Sequence, residues 1–520
     1  MSSEKFALNI LTTIANIKDV FGNVTVVFIM AVGIYYLFKL RGLQFRRFGY
    51  AMRQIFSGLT SKKELKEGEV SPFQAISTAL AGAFGVGNIT GVTTAITLGG
   101  PGALVWLVLS AILGMGTKYA EIFLAVRYRE KNDIGDWVGG PMYYIKNGLK
   151  KHWHWLATFF ALSASFAALS TGNAIQVGNI ADSINTSIQS FAPEAAQNAG
   201  LIAAIIGFVL TFVVGFILIG GVQRIGSLAE SIVPPMAIIY LLACFAAIGT
   251  NYQQIPTAIS DMFIASVNPQ AIFGGAVAIS AKTAIEMGIK RGVFSNEAGL
   301  GTAPMAHAAT SEVVPTKQAL YAVLEVFITL IICLINGLLI TICLPKETLN
   351  YGVEGTSALN AQALGTVFGD KIGAIIVAAA LSLFAFTTII SWGLYGIRCA
   401  EYVFGSIGRK SYLAIYIISV FLGSLLDLTV IWDLADISNS LMIIPNCTAL
   451  LILGNVVANE TRDFFKSPEG RRFKKDYVPA VESDDVPTTT EATIEKVKED
   501  LEELDEAADE LENVSKSLDA

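Results

Sequence analysis

Apolar runs of about 20 residues recur along most of this sequence, each long enough to cross the roughly 30 Å hydrocarbon core of a bilayer as a helix. They lie at about 24–40, 74–98, 102–126, 155–183, 199–221, 228–249, 270–290, 318–344, 371–397, 411–427 and 431–456. In hydrocarbon the backbone must satisfy its own hydrogen bonds, and single runs of this length do so as helices. With 53% hydrophobic and 15% charged residues and a mean hydropathy of +0.57, the chain has too little charge to cover a soluble protein of 520 residues. The expected fold class is therefore all-α integral membrane, with eleven transmembrane helices.

Basic residues set the expected orientation. The loops near 41–70, 127–151, 290–317 and 398–410 are rich in Lys and Arg, whereas those near 185–198 and 250–269 contain neither. This alternation places the N-terminus outside and the C-terminus in the cytoplasm, in a multi-pass plasma-membrane protein. Residues 1–23 carry Ile10, Ile14 and Ile17 at helical spacing among polar neighbours, as an interfacial helix would. No small-residue cleavage site precedes a soluble domain, so a signal peptide is not expected.

The transporter body is expected over 24–457, a polar cytoplasmic linker over 458–490 and an acidic amphipathic helix over 491–520. Residues Glu491 to Ala520 hold twelve acidic and three basic side chains, so the formal charge of −7 belongs largely to this tail. Ile494, Val497, Leu501, Leu504, Ala508 and Leu511 form a heptad stripe. It suits self-association or partner docking, or else a solitary frayed helix, because so few heptads give little stability.

The five cysteines all sit in apolar runs without a C-x-x-C pair, and three histidines cannot build a metal site alone. No Walker A, H-E-x-x-H or G-x-S-x-G motif is present, so an enzyme, an ATP-driven pump and an organic cofactor are not expected. Nothing points to a nucleic-acid partner.

The segment Ser77 to Gly91, S-T-A-L-A-G-A-F-G-V-G-N-I-T-G, is the most informative. Gly82, Gly85, Gly87 and Gly91 fall near the middle of a span, where glycine invites the backbone to leave the helix. A broken helix is tolerable there if it faces a buried polar cavity, with amides for an anion and freed carbonyls for a cation. Asn88 adds a side-chain carbonyl at the same level. The alternative is that these glycines only let helices pack closely.

Gly85-Val86-Gly87-Asn88-Ile89-Thr90-Gly91, Leu98-Gly99-Gly100-Pro101-Gly102, Thr117-Lys118-Tyr119-Ala120-Glu121, Gly139-Gly140-Pro141-Met142-Tyr143-Tyr144 and Arg291-Gly292-Val293-Phe294-Ser295-Asn296-Glu297-Ala298-Gly299 resemble the alanine or glycine:cation symporter family over about residues 24–457. The resemblance implies a leucine-transporter-like core of five plus five inverted spans after one extra N-terminal span. Its first and sixth core helices would be broken, the sixth (270–290) at Gly274, Gly275 and Ser280; the leucine transporter is the standard example of such an arrangement. It also implies that amides near Gly85 and Gly87 hold the substrate carboxylate. Sodium would meet Asn88 and the Ala83 carbonyl at one position. At a second it would meet the Ala81 and Phe84 carbonyls with the Thr387 and Thr388 hydroxyls. Hard oxygens suit an alkali cation; back-bonding to helix carbonyls is the other use of such threonines.

Gln176, deep in the third core span, needs a buried partner, either a zwitterionic substrate or another helix. Trp392 and Phe273 are candidate walls of the substrate site, with Gly274 beside them, although large aromatics also serve plain packing. Lys118 and Glu121 form an i,i+3 pair near the inner end of their span, where snorkelling or a salt bridge suffices, and Lys282 with Glu286 an i,i+4 pair. Arg291, Asn296 and Glu297 are expected at the cytoplasmic end of the sixth core span, as an inner gate or a helix cap. The function these features suggest is symport of a small neutral amino acid, alanine or glycine, with sodium. Proton coupling through Glu286 and a channel are the alternatives.

Overall fold

The computed structural model describes residues 22, 24–58, 65, 68–270, 279–353, 355–426, 428–467 and 470. The interfacial helix expected over 1–23, apart from Gly22, Phe273 with Gly274 and Gly275, and the acidic tail lie outside the described residues. The chain divides into two compact units, residues 1–463 and 464–520. The second is described only at 464–467 and 470.

Nearly everything described is helical. In chain order come α1 (Val24–Lys39), α2 (Pro72–Ala83), α3 (Thr90–Gly99), α4 (Ala103–Arg127), α5 (Trp155–Leu169), α6 (Ile175–Phe191), α7 (Ala199–Leu218) and α8 (Gly221–Thr250). Then follow α9 (Ile255–Val267), α10 (Ala281–Asn296), α11 (Ala303–His307), α12 (Tyr321–Cys343), α13 (Ser357–Phe368), α14 (Asp370–Gly423) and α15 (Leu428–Lys466). Among the described residues, seven helices are long and apolar enough to cross a membrane, and α1 is a shorter apolar one. On α7, Phe208, Phe212 and Phe216 recur every four residues and are more than half exposed, a face suited to acyl chains and not to water.

Several expected boundaries move. The loops at 250–269 and 346–370 contain α9 and α13, and α15 continues to Lys466 through the start of the expected linker. The run at 371–397 and residues 411–423 of the next run both belong to α14, which folds back on itself at Gly405. A Cβ on Gly396 would touch Tyr412, and Tyr416 donates to the Ile389 carbonyl at 2.7 Å, so the two arms are antiparallel. Gly405 has φ 64° and ψ −150°, a region open in practice to glycine alone, and a Cβ there meets no neighbour. Gly405→Ala is expected to cost about 1–3 kcal/mol through backbone strain alone, read as a lower Tm in detergent.

The pairing of α2–α3 with α10–α11 organises the interior. Gly99 lies against Ala284 and Met287, Gly91 against Arg291, and Gly87 against Phe294 and Ser295. The two stretches therefore run antiparallel side by side, and both are interrupted at the same level. The first leaves the helix at Phe84 and Gly85, makes one 3₁₀ turn at Val86–Asn88 and resumes at Thr90. The second stops at Asn296, passes Glu297 (φ 52°), Gly299 (φ 91°) and Gly301 (φ 78°), and resumes at Ala303.

Among the described residues a break in this stretch lies at Glu297–Gly301; of the expected Gly274–Ser280 break, Ser280 is the extended N-cap of α10, while Gly274 and Gly275 lie outside the described residues. Asn296 ends α10 and Glu297 is its left-handed C-cap, as a helix cap would be, and Arg291 lies earlier in α10 against Gly91. Lys290 and Arg291, counted above with the 290–317 loop, belong to α10, leaving Lys317 as that loop's basic residue.

Candidate functional site

The first break forms because its neighbours need its space. Gly85 has φ −91°, an angle any residue adopts, so left-handed freedom is not why glycine stands there. A Cβ at Gly85 would lie 2.8 Å from Gln176 Oε1 and 3.0 Å from Thr388 Oγ1. One at Gly87 would lie 2.5 Å from the Phe294 ring. Side chains from α6, α10 and α14 thus reach the exposed backbone. Breaking and close packing, posed above as alternatives, occur together.

Gln176 follows a π-helical turn at Ser170–Ala174, a local bulge of the kind that re-aims side chains. Its Oε1 accepts the Val86 N–H at 3.1 Å, and its Nε2 donates to the Thr171 carbonyl at 3.0 Å. Thr388 donates to the Ala81 carbonyl across the gap at 2.9 Å and shares its proton with the Phe384 carbonyl of its own helix. Thr387 is turned away: it bonds only its own helix, at Phe384 O, 2.9 Å. Ala83 and Phe84 are buried at the end of α2, with the Phe84 ring stacked 5.8 Å from Phe384. Asn88 is wholly buried, and neither its Oδ1 nor its Nδ2 has a protein partner. Such an orphan is costly, about 1–3 kcal/mol for each atom.

The second break is held from three sides. Trp392 donates from its ring nitrogen to Glu297 Oε1 at 2.7 Å, and Thr302 donates to Oε2 at 2.7 Å. Trp392 also fills the groove over Gly172, where a Cβ would overlap its own Cβ. Thr329 donates to Asn296 Oδ1 at 2.6 Å, while Lys118 Nζ donates to the Asn296 carbonyl at 2.7 Å and pairs with Glu325. The ammonium thereby meets the negative end of the α10 dipole. Lys118 is fully buried and does not snorkel, and Glu286 pairs with Lys290 at 2.6 Å instead of with Lys282. The Arg291 guanidinium lies 4.7 Å from the centre of the Trp432 ring, tying α10 to α15.

Of the residues singled out in the sequence, Ala81, Gly85, Gly87, Asn88, Gln176, Thr388, Trp392, Asn296 and Glu297 line or adjoin the two breaks. Phe273 and Gly274 are outside the described residues. Phe294, Thr302, Thr329 and the buried pair Lys118–Glu325 were missed as parts of this site. A second network supports the start of α3. Asn336 donates to the Ile89 carbonyl at 2.9 Å, and it accepts from Tyr240 at 2.6 Å and Asn360 at 2.7 Å.

A solved structure similar to this chain is MhsT in complex with L-phenylalanine, at a TM-score of 0.56 and 15% identity, covering 78% of this chain and 95% of that one. That likeness gives a leucine-transporter-like fold. Among curated relatives, the sodium/alanine symporter AgcS of Methanococcus maripaludis is 38% identical over 451 residues, 86% of this chain and 95% of its own length. An uncharacterized transporter of Haemophilus influenzae is 40% identical over 464 residues, 88% and 97% of the two chains. The model of the sodium:alanine symporter family matches residues 5–477, beginning earlier and ending later than the stretch that carried the resemblance. With a shared fold, full-length relatives and two facing backbone breaks around unsatisfied polar groups, this chain belongs to the sodium:alanine symporter family of cation-coupled amino-acid symporters.

Proposed function

We propose that the protein imports a small neutral amino acid, alanine or glycine, together with sodium by alternating access. The observation that carries this reading is the wholly buried, unpartnered Asn88 beside the Gln176–Val86 contact. Gln176 Oε1 occupies the amide that a substrate carboxylate would take, and it swings aside when substrate arrives. Sodium meets neutral hard oxygens at Asn88, the Ala81 carbonyl and Thr388, a donor set that suits an alkali ion. Phe294 against Gly87 and Trp392 against Gly172 leave little room beyond a methyl side chain. Glu297 with Trp392, Asn296 with Thr329, and Arg291 with Trp432 tie the second break to α14, α12 and α15. These ties form the gate that has to change as the site exchanges sides.

The antiparallel, equally interrupted stretches α2–α3 and α10–α11 support an eleven-span, five-plus-five inverted arrangement behind α1. The arginine and lysine content of the loops at 41–70, 127–151 and 398–410 supports a cytoplasmic C-terminus.

The test is uptake of labelled alanine into proteoliposomes under an inward sodium gradient, against an equal potassium gradient. Accumulation above equilibrium with sodium alone is expected, and equal uptake under both gradients would refute sodium coupling. Once aside, the Gln176 amide hydrogen-bonds the zwitterionic substrate, so Gln176→Ala is expected to lower uptake about tenfold or more at limiting alanine, the worth of one buried hydrogen bond to a charged group. Unchanged uptake at limiting alanine would remove Gln176 from the site.

A further inference from the structure

Three buried carboxylates, Glu121, Glu297 and Glu325, surround the second break, and one buried ammonium, Lys118, faces them. Two of the three are satisfied as anions. Glu325 faces Lys118 with one oxygen and His307 Nε2, at 3.4 Å, with the other. Glu297 accepts one donor on each oxygen. Glu121 differs. Its Oε1 accepts two N–H donors, Gly301 N at 3.1 Å and Asn446 Nδ2, while its Oε2 is buried without any partner. A bare carboxylate oxygen in a wholly buried place is costly, and two donors crowded onto the other oxygen are what a carbonyl C=O accepts.

The surroundings offer nothing to fill the gap. On its own helix Lys118 is one turn away and engaged by Glu325 and Asn296. From α12 it feels Glu325, from α15 Asn446 and Cys447, from the short helix Pro141–Gly148 Tyr144, and from α1 Tyr36. Among the described residues, no group of three or more His, Cys, Asp and Glu is placed to hold a metal ion. A proton on Oε2 completes the site.

Resting on the symport reading above, we propose that Glu121 is a proton-binding site coupled to the second break. It holds a proton on Oε2 while the Glu297–Gly301 segment is closed and gives it to water when that segment opens. The link is direct, because the Gly301 N–H sits on Oε1 and Asn446 joins Oε1 to the Gly299 carbonyl at 2.9 Å. Opening strips both donors from the carboxyl and admits solvent. The O–H bond breaks, the proton leaves as hydronium, and closure requires the reverse.

The test compares sodium-driven alanine uptake by wild type and Glu121→Gln in proteoliposomes held at equal pH on both sides, from about pH 6 to about pH 9. The glutamine reproduces the protonated acid, with a carbonyl for the two donors and an NH₂ in place of the O–H. Wild-type uptake is expected to be flat at low pH and to fall about tenfold per unit above a midpoint. Glu121→Gln is expected to stay within about twofold throughout. A variant that transports yet follows the wild-type fall, or a wild type flat over the whole range, overturns the proposal.

Sodium-driven accumulation at low pH reports on symport separately, so failure of one reading is distinguishable from failure of the other. If Glu121→Gln yields no active protein, a pH indicator in weak buffer decides on the wild type. Sodium and alanine, which close the breaks, should take up about one proton per protein near the midpoint. No exchange at any pH in the range overturns the proposal.

Discussion

Asn88→Leu is expected to make the ligand-free protein more stable while reducing sodium-driven uptake about a hundredfold or more, the equivalent of about 3 kcal/mol. Leucine matches asparagine atom for atom in branching, so the swap keeps shape and changes only polarity. In the ligand-free state both polar atoms of Asn88 are buried without a partner, and each carries a desolvation cost of about 1–3 kcal/mol that leucine removes. A higher Tm in the absence of sodium and alanine follows. With ligands the sign reverses: wild type gains the contacts that leucine cannot make, so sodium should raise the wild-type Tm and leave that of the variant nearly unmoved. A variant that unfolds earlier than wild type without ligand, yet still accumulates alanine, would show that Asn88 is only packing.

The first break and the second were not equally legible, for a physical reason. Gly85, Gly87 and Asn88 sit inside a long apolar run, so hydropathy locates the span and glycine density locates the interruption. Glu297, Gly299 and Gly301 lie beyond Lys290 and Arg291, where the apolar window ends, and the segment reads as the edge of a span. It is buried all the same. Arg291 is covered by Trp432, Glu297 by Trp392 and Thr302, and Lys118 by Glu325, partners 5 to 207 residues away in sequence. A sliding window sees each charge alone and places it at the surface.

The same blindness left Lys118 between snorkelling and a salt bridge with its neighbour Glu121, although it is fully buried and pairs with Glu325. Thr388 and Thr387 show the limit at finer scale. Adjacent and chemically alike, they point to different places, and only the α2–α14 crossing decides which one reaches the Ala81 carbonyl.

Lys118→Met should be the more damaging change to the fold. It leaves Glu325 buried with His307 as its remaining partner and removes the donor on the Asn296 carbonyl, where α10 ends inside the protein. Removing one partner of a buried ion pair costs about 3–5 kcal/mol, which should appear as a large loss of folded protein and of Tm. The double variant Lys118→Met with Glu325→Leu separates the two roles of the lysine. Replacing both charges with apolar groups of similar volume is often close to neutral, so stability should return to within about 1–2 kcal/mol of wild type.

Transport should not return with it. The Asn296 carbonyl still lacks its donor, and the negative end of the α10 dipole faces the break without a counter-charge. The unwound Glu297–Gly301 segment then loses the fixed point from which Glu297 holds Trp392 over the site. A double variant that folds but does not accumulate alanine assigns Lys118 to positioning the break. One that transports at the wild-type rate reduces the lysine to a neutraliser of Glu325 and leaves the break held by Thr329, Trp392 and Thr302 alone.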